Sequence, residues 1–245
     1  EVNPKCDALS GENKLIICPG LLTGTTAPCS GRISIGGKSP LTGTIKEANA
    51  GGTAAQMLSK LGIKGIIFED KPVKDEWSIL RVNKHGSELI NGNKYIGMNN
   101  YRLSDELRKD FGNKIGIISI GGAGERGYRN STIQVTDTLG RPSRSAARGG
   151  LGSVMGSKRI KAIVLDVRGP SNTEYANKEL FSKAAKNYIK AIRSNPISGE
   201  AMPALGTAVL VNLVNAMGAL PTRNYSSGSF ERAEDISGEN LVRIQ

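Results

Sequence analysis

The sequence is poor in aromatic residues, and it contains few cysteines and a single histidine. Phe, Trp and Tyr make up 4% of the 245 residues, which disfavours a protein that binds single-stranded nucleic acid by stacking bases on aromatic rings. The three cysteines, at positions 6, 18 and 29, are an odd number and form no C-x-x-C pair. They predict neither a disulfide framework nor a zinc or iron–sulfur site within these residues, and they favour a reducing, cytoplasmic location.

By inspection, the sequence shows neither a long continuous apolar run nor a basic segment followed by an apolar leader, so it predicts no membrane segment. A transmembrane helix needs about 20 predominantly apolar residues, and none is recognised by inspection of the sequence. We therefore expect no membrane partner. The chain begins at Glu1 and ends at Gln245 within a helical pattern, so we interpret it as a piece of a longer protein.

Positive charge and glycine are abundant. The chain has 33 Lys and Arg against 22 Asp and Glu, a formal net charge of +11, and 31 glycines that predict many turns. This charge favours phosphate-bearing or acidic partners, nucleic acid included. The basic residues accompany glycine loops rather than a helix face, so we expect no specific nucleic-acid partner and only weak, salt-sensitive binding. The hydrophobic content of 38% supports one large or two ordinary domains.

The stretch from Gly31 to Gly52 has the features of an anion-binding loop. Two extended segments lead to Gly51-Gly52, which open a helical pattern. Glycines at a helix entrance leave backbone N–H groups free to bind an anion, and the helix dipole adds about half a positive charge. Arg32 and Lys38 would strengthen a phosphate site. The alternative is a glycine-rich hairpin whose glycines serve only tight turns. Cys29, beside this stretch, is interpreted as a small buried hydrophobic residue, the alternative being a thiol that faces the ligand.

A second loop of the same kind follows roughly 100 residues later. The segment from Arg144 to Gly150 ends in Gly-Gly before a short helical stretch and a strand. GIKGIIFED (62–70) and RIKAIVLDV (159–167) occupy the same place after each loop, which predicts a duplicated unit. Two such loops would hold two phosphates around a pseudo-twofold axis, with Arg141, Arg144 and Arg148 spaced for bidentate contacts. The alternative treats these arginines as a solvated charged loop.

Hydrophobic periodicity and turn residues predict alternating short strands and helices. We expect a hairpin at 87–96 turning at Asn91-Gly92, and helices that Ser104 and Thr207 cap. A domain boundary is expected near 168–171. The remaining predicted strands are 15–18, 32–35, 44–47, 65–69, 77–83, 114–120, 132–136 and 160–167, and the remaining predicted helices are 54–61 and 180–192.

Several motifs in a fixed order resemble the tungsten-dependent aldehyde ferredoxin oxidoreductase family. They are ENKLII, LTGT..P.SGR, KSPLTG, AN.GG, IGGAGE, RGGLGSVMGSKRIKAIV and GTAVLVN…G.LPTRN. The resemblance implies an α+β fold, in which residues 1–168 form a β-rich cofactor-binding domain with two intertwined repeats that lacks its first strands. It also implies that residues 171–245 are the start of an all-α helical domain, truncated at Gln245.

The resemblance also implies a cofactor and its ligands. In that family two pterin dithiolenes chelate one tungsten, and the pterin phosphates meet across a magnesium ion. The matching positions for cofactor binding are Arg32, Asn49, Gly51, Arg144, Ser145, Ala147 and Arg148. The backbone carbonyls of Asn49 and Ser145 match the magnesium ligands, which suits a cation that prefers oxygen. Ser145 and Ala147 replace the alanine and glycine of the family pattern HRAAGRGG, and IGGAGER (120–126) differs from the usual IGPAGEN.

The activity implied is oxidation of an aldehyde to a carboxylic acid by a tungsten or molybdenum bis-pterin enzyme. The ligands of the family's [4Fe–4S] cluster and its proton-transferring side chains lie beyond Gln245, so no catalytic residue is nominated and the fragment alone is expected to be inactive. The implied partners are ferredoxin, a small aldehyde and the remaining domains of the same protein, with homo-oligomer formation left open. The alternatives are another family chemistry, such as aromatic acyl-thioester reduction, and a non-enzymatic polyanion-binding module.

Overall fold

Most strands of the computed structural model, which describes residues 2–168 and 173–244, coincide with the Ile-, Val- and Leu-rich runs of the sequence, whereas β3 and β9 are more polar. The strands are β1 (Leu15–Pro19), β2 (Ile33–Lys38), β3 (Ile45–Ala50), β4 (Ile66–Phe68), β5 (Ser78–Asn83), β6 (Gly86–Asn91), β7 (Ile115–Ser119), β8 (Ile133–Val135), β9 (Arg144–Ala146) and β10 (Ile160–Asp166). The helices among them are α1 (Ala54–Lys60), α2 (Asn100–Phe111), α3 (Gly122–Glu125), α4 (Leu151–Ser157) and a 3-10 turn at Asn93–Tyr95.

The strands form two sheets that share one connection pattern. The four-stranded sheet has the order β3-β2-β1-β4, and the six-stranded sheet has the order β6-β5-β10-β7-β8-β9. In each, three consecutive strands pair antiparallel, a helix follows, and a fourth strand pairs antiparallel with the first. The segments β1-β2-β3-α1-β4 and β7-β8-β9-α4-β10 are therefore two copies of one unit, which confirms the predicted α+β fold with an internal duplication.

The two repeats also agree in strand register. Asn49 of β3 pairs with Ser34 of β2, and Ser145 of β9 pairs with Gln134 of β8. In both sheets the neighbouring pair is a buried isoleucine opposite a buried alanine. Because side chains alternate along a strand, Asn49 and Ser145 point away from the core at equivalent positions.

Each repeat's helix packs against the other repeat's sheet as well as its own. Helix α1 contacts β7 and β10, while α4 contacts β1 and β2. One large hydrophobic cluster accordingly contains residues of both sheets and of both helices. A second cluster joins α2 to the opposite face of β10 and β7. Strand β10 is buried along its whole length because it is covered on both faces.

The prediction that a hairpin turns at Asn91-Gly92 is wrong. Strands β5 and β6 turn instead at Lys84-His85, where the His85 N–H donates to Asn83 Oδ1 at 2.8 Å. Gly92 lies after β6 with a φ of −104°, and its N–H donates to the Trp77 carbonyl at 2.6 Å. The Asn-Gly pair therefore ends the strand rather than forming a primed turn, which needs a positive φ.

Helix α2 begins one turn earlier than predicted. Asn99 is its N-cap, and its side chain accepts a hydrogen bond from the Arg102 N–H at 3.0 Å. Ser104 lies inside the helix with a buried hydroxyl that has no hydrogen-bond partner among the described residues. The helix ends at Gly112, whose φ is +98°.

The chain divides into two compact units between Tyr175 and Ala176. The predicted boundary near 168–171 falls mostly on residues 169–172, which lie outside the described residues, so the domain limits stay a prediction. The second unit contains α5 (Lys178–Ser194), a π-helical turn (Pro196–Ala201), α6 (Met202–Leu205), a 3-10 turn (Gly206–Val209), α7 (Leu210–Ala216), a 3-10 turn (Ala233–Ile236) and α8 (Gly238–Ile244).

In the second unit the helix predicted at 180–192 is confirmed as α5, which ends before Asn195-Pro196. The predicted cap at Thr207 is wrong, because helical structure resumes at Pro196 and Thr207 lies within a 3-10 turn. Pro196 lies in the first turn of the π-helical segment, where a missing N–H costs no hydrogen bond.

One helical stretch of the second unit corrects the expectation that no segment has membrane length. Pro196–Ala216 spans 21 residues with a mean hydropathy of 1.4, so by length and composition alone it could cross a membrane. The sequence inspection missed it because glycines, prolines and polar residues interrupt the apolar ones. Core helices of soluble proteins pass the same test, so this stretch carries no membrane assignment by itself.

Candidate phosphate-binding site

The first predicted loop brings its three residues together on the solvent side of β3. The Arg32 Nε donates to the Asn49 Oδ1 across the β2–β3 ladder. A Cβ placed on Gly51 would lie 3.7 Å from Arg32 Nη1, so the guanidinium group lies over the loop. Arg32 and Asn49 are exposed, and within the described residues Arg32 forms no ion pair. Its positive charge is therefore available to a ligand.

Gly52 must be glycine because the loop presses against the second repeat. Its φ is +103°, and a Cβ there would lie 2.6 Å from the Thr136 carbonyl oxygen and 2.9 Å from Val135 Cγ1. The next residue, Thr53, donates its N–H to the same Thr136 carbonyl at 2.9 Å. The loop is thus held by the strand end of the other repeat.

The second predicted loop leaves β9 with its basic residues in solvent. Arg144, Ser145, Ala147 and Arg148 are all exposed, and the Ser145 hydroxyl donates to Gln134 Oε1 at 2.7 Å. In the part of the chain that the structure describes, neither arginine takes part in an ion pair. Sequence inspection treated Arg144 to Ala146 as loop, whereas they form the short edge strand β9.

Glycine is required at the end of this loop but not at Ala147. Gly149 and Gly150 have φ values of +71° and +67°, and a Cβ on Gly150 would lie 1.8 Å from the Arg129 carbonyl oxygen. Ala147 is not among the residues with positive φ. Alanine at this position therefore causes no backbone strain, although the related pattern has glycine there.

The two loops meet because β3 and β9 are edge strands that lie in contact. A Cβ on Gly149 would lie 2.6 Å from Lys46 Cγ of β3, and the Ser39 hydroxyl donates to the Gly149 carbonyl at 2.7 Å. The fold thus places β3, which carries Asn49, beside β9, which carries Arg144 and Ser145, at the junction of the two sheets. Edge strands also direct alternate carbonyl groups away from their own ladder, as a hard cation would require.

The arginines, rather than the helix dipoles, carry the positive charge of this site. Helices α1 and α4 each have seven residues, about two turns, so their dipoles are small. The expectation that Lys38 strengthens the phosphate site is wrong, because its Nζ donates to the Pro4 and Cys6 carbonyls, each at 2.6 Å. Cys29 is exposed with a φ of +59°, so its interpretation as a buried residue is also wrong.

The IGGAGER segment packs against α4, the helix that follows the second loop. It forms α3, which packs backbone to backbone on α4, since a Cβ on Gly156 would lie 2.1 Å from the Gly124 carbonyl oxygen. Its Glu125 forms an ion pair with Lys161 of β10, and the side chains are 10% and 0% exposed. Burial lowers the pKa of Lys161, and the hydrogen bond to Glu125 opposes that shift.

Sequence inspection missed this ion pair, although a signal was present. A lysine among the apolar residues of the buried strand IKAIVLD must find a buried partner, because an isolated buried charge is prohibitively costly. The Lys161 Nζ also donates to the carbonyls of Met98 at 3.0 Å and Ile120 at 2.8 Å. The pair therefore anchors α3 to the core strand that follows α4.

A magnesium site here would rest on carbonyl and phosphate oxygens rather than on acidic side chains. The described residues contain no group of three or more His, Cys, Asp or Glu that could hold a metal ion. The predicted ligands, the backbone carbonyls of Asn49 and Ser145, lie at equivalent positions of β3 and β9. Their symmetry fits one cation shared by two phosphates.

Comparison with known proteins relates both units to one family. Residues 1–167 match the family model "Aldehyde ferredoxin oxidoreductase, N-terminal domain", and residues 183–245 match "Aldehyde ferredoxin oxidoreductase, domains 2 & 3". The chain is 41% identical to the tungsten-containing aldehyde ferredoxin oxidoreductases of Pyrococcus abyssi and Pyrococcus horikoshii over 243 residues, 99% of this chain and 39% of each relative. It therefore spans about two fifths of their length.

A solved structure shares the fold as well. The active-site complex BamBC of benzoyl coenzyme A reductase, in complex with 1,5-dienoyl-CoA, aligns with a TM-score of 0.73 and 31% sequence identity. The alignment covers 84% of this chain and 30% of that chain.

Proposed function

The chain belongs to the aldehyde ferredoxin oxidoreductase family, and from this membership we propose that it is the cofactor-cradling part of a tungsten or molybdenum bis-pterin oxidoreductase. The observation that carries the proposal is the meeting of two equivalent arginine-bearing loops at β3 and β9. Two loops related by an internal duplication suit a cofactor with two similar halves, each ending in a phosphate.

The roles follow from the side chains and their surroundings. Arg32, Arg144 and Arg148 bind phosphate oxygens through their forked N–H donors, which match phosphate geometry better than a lysine does. Asn49 holds Arg32 in place through the hydrogen bond from its Nε. Gly51 and Ala147 have small side chains or none, so the backbone can approach the ligand closely. When bound, the metal and its dithiolenes supply the redox chemistry, while the protein positions them.

For the whole protein we propose oxidation of aldehydes to carboxylic acids, with ferredoxin as the electron acceptor and a [4Fe–4S] cluster bound outside this chain. The names of the relatives at 41% identity support this chemistry. The benzoyl coenzyme A reductase complex, at 31% identity, supports the alternative of aromatic acyl-thioester reduction. The three free cysteines support a reducing, cytoplasmic location.

The first test is metal and pterin analysis of the full-length protein, purified anaerobically from its own source. Tungsten or molybdenum with about two pterins per chain is the expected result, since the cofactor rather than the protein carries this chemistry. Assays with aldehydes and with an aromatic acyl-coenzyme A then decide between the two reactions. A well-folded protein without metal and pterin would contradict the proposal and favour the polyanion-binding alternative.

Arginine variants test the site itself. Arg32→Ala and Arg148→Ala should each lower metal and pterin content together, because a charge-assisted hydrogen-bonded contact contributes about 1.5–3 kcal/mol. Arg102→Ala, an exposed arginine on α2, is the matched control and should keep the wild-type content. Unchanged occupancy in both loop variants would mean that these arginines are only solvated charges.

A further inference from the structure

A buried serine of the first repeat holds the loop of the second repeat. Ser39 directly follows β2 and is fully buried. Its hydroxyl donates to the Gly149 carbonyl at 2.7 Å and accepts the N–H groups of Leu41 and Thr42 at 3.2 and 3.0 Å. One hydroxyl has one donor and two acceptor positions, so all of its capacity is used. The β2–β3 turn and the Gly149-Gly150 loop are therefore joined through a single atom.

A buried threonine of the second repeat holds the loop of the first. Thr136 directly follows β8 and is 1% exposed. Its carbonyl accepts the Thr53 N–H at 2.9 Å and the Thr53 hydroxyl at 3.1 Å. Its own hydroxyl lies 3.2 Å from the Thr53 hydroxyl oxygen and accepts the Ile117 N–H at 2.9 Å. Thr53 is the residue between Gly52 and α1, so it belongs to the first loop.

Steric contact reinforces both connections. A Cβ on Gly149 would lie 2.6 Å from Lys46 Cγ, and a Cβ on Gly52 would lie 2.6 Å from the Thr136 carbonyl oxygen. Each loop thus packs so closely on the opposite repeat that a methyl group at its glycine would clash. In close-packed contacts of this kind, a displacement of the turn displaces the loop.

Together with strands β3 and β9, these contacts form a closed path that connects the two loops. The first loop rests on Thr136, whose turn leads through β9 into the second loop. The second loop rests on Ser39, whose turn leads through β3 back to the first loop. The two loops are therefore linked by contacts that run in both directions, which coupling between sites requires.

We infer that Ser39 and Thr136 are positioning residues that couple the two phosphate-binding loops, each setting the geometry of the loop in the opposite repeat. The identity of the ligand in this inference, a cofactor with two pterin phosphates, rests on the proposed function. The contacts between the repeats do not depend on it. When a phosphate orders one loop, the other loop is held nearer to its binding geometry, and a cofactor with two phosphates is favoured over two separate anions.

The test is hydrogen–deuterium exchange of the full-length Ser39→Ala variant, measured on peptides of the second loop (147–152). The variant loses the bond to the Gly149 carbonyl and two bonds within the β2–β3 turn. Loss of the one bond to the second loop, worth about 1 kcal/mol, should raise exchange there about five-fold. The core strands β7 and β10 serve as the internal reference and should keep their wild-type exchange, because global destabilisation would raise all segments together. Unchanged exchange in 147–152 would overturn the inference.

Ser119→Ala is the matched control. Ser119 is also a fully buried serine, but its hydroxyl donates to Asn100 Oδ1 of α2 at 3.0 Å rather than to a loop. Its variant should leave exchange in both loops unchanged. The reciprocal variant is Thr53→Val, which removes the hydroxyl contacts to Thr136 and should raise exchange in the first loop (49–54). If exchange in the loops changed equally in Ser119→Ala and in Ser39→Ala, the change would reflect a general loss of stability and would contradict a specific role for Ser39.

Cofactor content separates this inference from the proposed function. Pterin and metal per folded chain should fall in Ser39→Ala and stay at the wild-type value in Ser119→Ala. Raised exchange at 147–152 together with wild-type cofactor content would show that Ser39 stabilises the loop without positioning the cofactor. That result would overturn the inference and leave the proposed function intact. A wild-type protein without pterin would instead overturn the proposed function and the cofactor role, while exchange would still decide the contacts between the repeats.

Discussion

Replacement of Lys161 by methionine should be among the most destabilising substitutions in the first unit. Lys161 is fully buried, and its Nζ binds Glu125 and two backbone carbonyls. Methionine fills a similar volume but removes the charge and all three hydrogen bonds. The Glu125 carboxylate, 10% exposed, then keeps only the long contacts from the Gly97 N–H at 3.2 and 3.1 Å.

The expected cost is about 3–5 kcal/mol, since removal of one partner leaves an uncompensated buried charge. This is a large share of a typical domain stability of about 5–15 kcal/mol. In the double variant Lys161→Met/Glu125→Leu both charges are absent, and only backbone groups lose partners. We therefore expect the double variant to be more stable than either single variant. Lys109→Met, which breaks an exposed pair with Glu106 on α2, is the control and should change stability by about 0.5 kcal/mol or less.

The assay is urea denaturation of the full-length protein, followed by hydrogen exchange of β7 and β10 so that this unit is observed separately. A cost for Lys161→Met similar to that of Lys109→Met would refute the argument. A double variant whose loss equals the sum of the single losses would refute it as well, because independent sites add and a coupled pair does not.

Three further predictions concern single residues. Gly150→Ala should lower the melting temperature and the pterin content, since its Cβ would lie 1.8 Å from the Arg129 carbonyl; Gly43→Ala, with a similar φ of +71° and open space, should show only the backbone cost of about 1–2 kcal/mol. Hydrogen bonds from the Arg141 N–H, the Ser143 hydroxyl and the Leu139 N–H lower the pKa of Asp137 below 3.8. Its stabilisation is present above that value and lost as pH falls through the lower folded-state pKa, so Asp137→Asn should flatten the acid side of a melting-temperature profile. Burial and the hydrogen bond to Asp110 raise the pKa of Tyr95 from 10.0 to about 12. Stability should therefore fall as pH rises through this range, and Tyr95→Phe should remove the latest tyrosinate signal in a near-ultraviolet titration; an unchanged titration would contradict the assignment.

The strands and the glycine loops were predictable because their signals are local. Runs such as IGIIS and IKAIVLD are apolar enough to require burial, and Gly52, Gly149 and Gly150 adopt the positive φ that glycine accepts without strain. The duplication was visible because both copies have an Ile-Lys-(Gly/Ala)-Ile string after the loop. Local signals failed where a residue's partner is distant in sequence. The partner of Lys161, Glu125, lies 36 residues away, and Lys38 binds the Pro4 and Cys6 carbonyls, 34 and 32 residues away.

Sequence alone thus determined most of the apolar strands, which glycines open the loops, and which arginines accompany them, but not the polar edge strand β9. Only the tertiary structure decided which charges stay available, because that depends on contacts between segments far apart in the chain. Lys38 and Arg32 look alike in sequence, but Lys38 binds carbonyls near the N-terminus while Arg32 remains over its loop. The meeting of the loops at β3 and β9 likewise arises from packing of two sheets on one core, which no local pattern encodes.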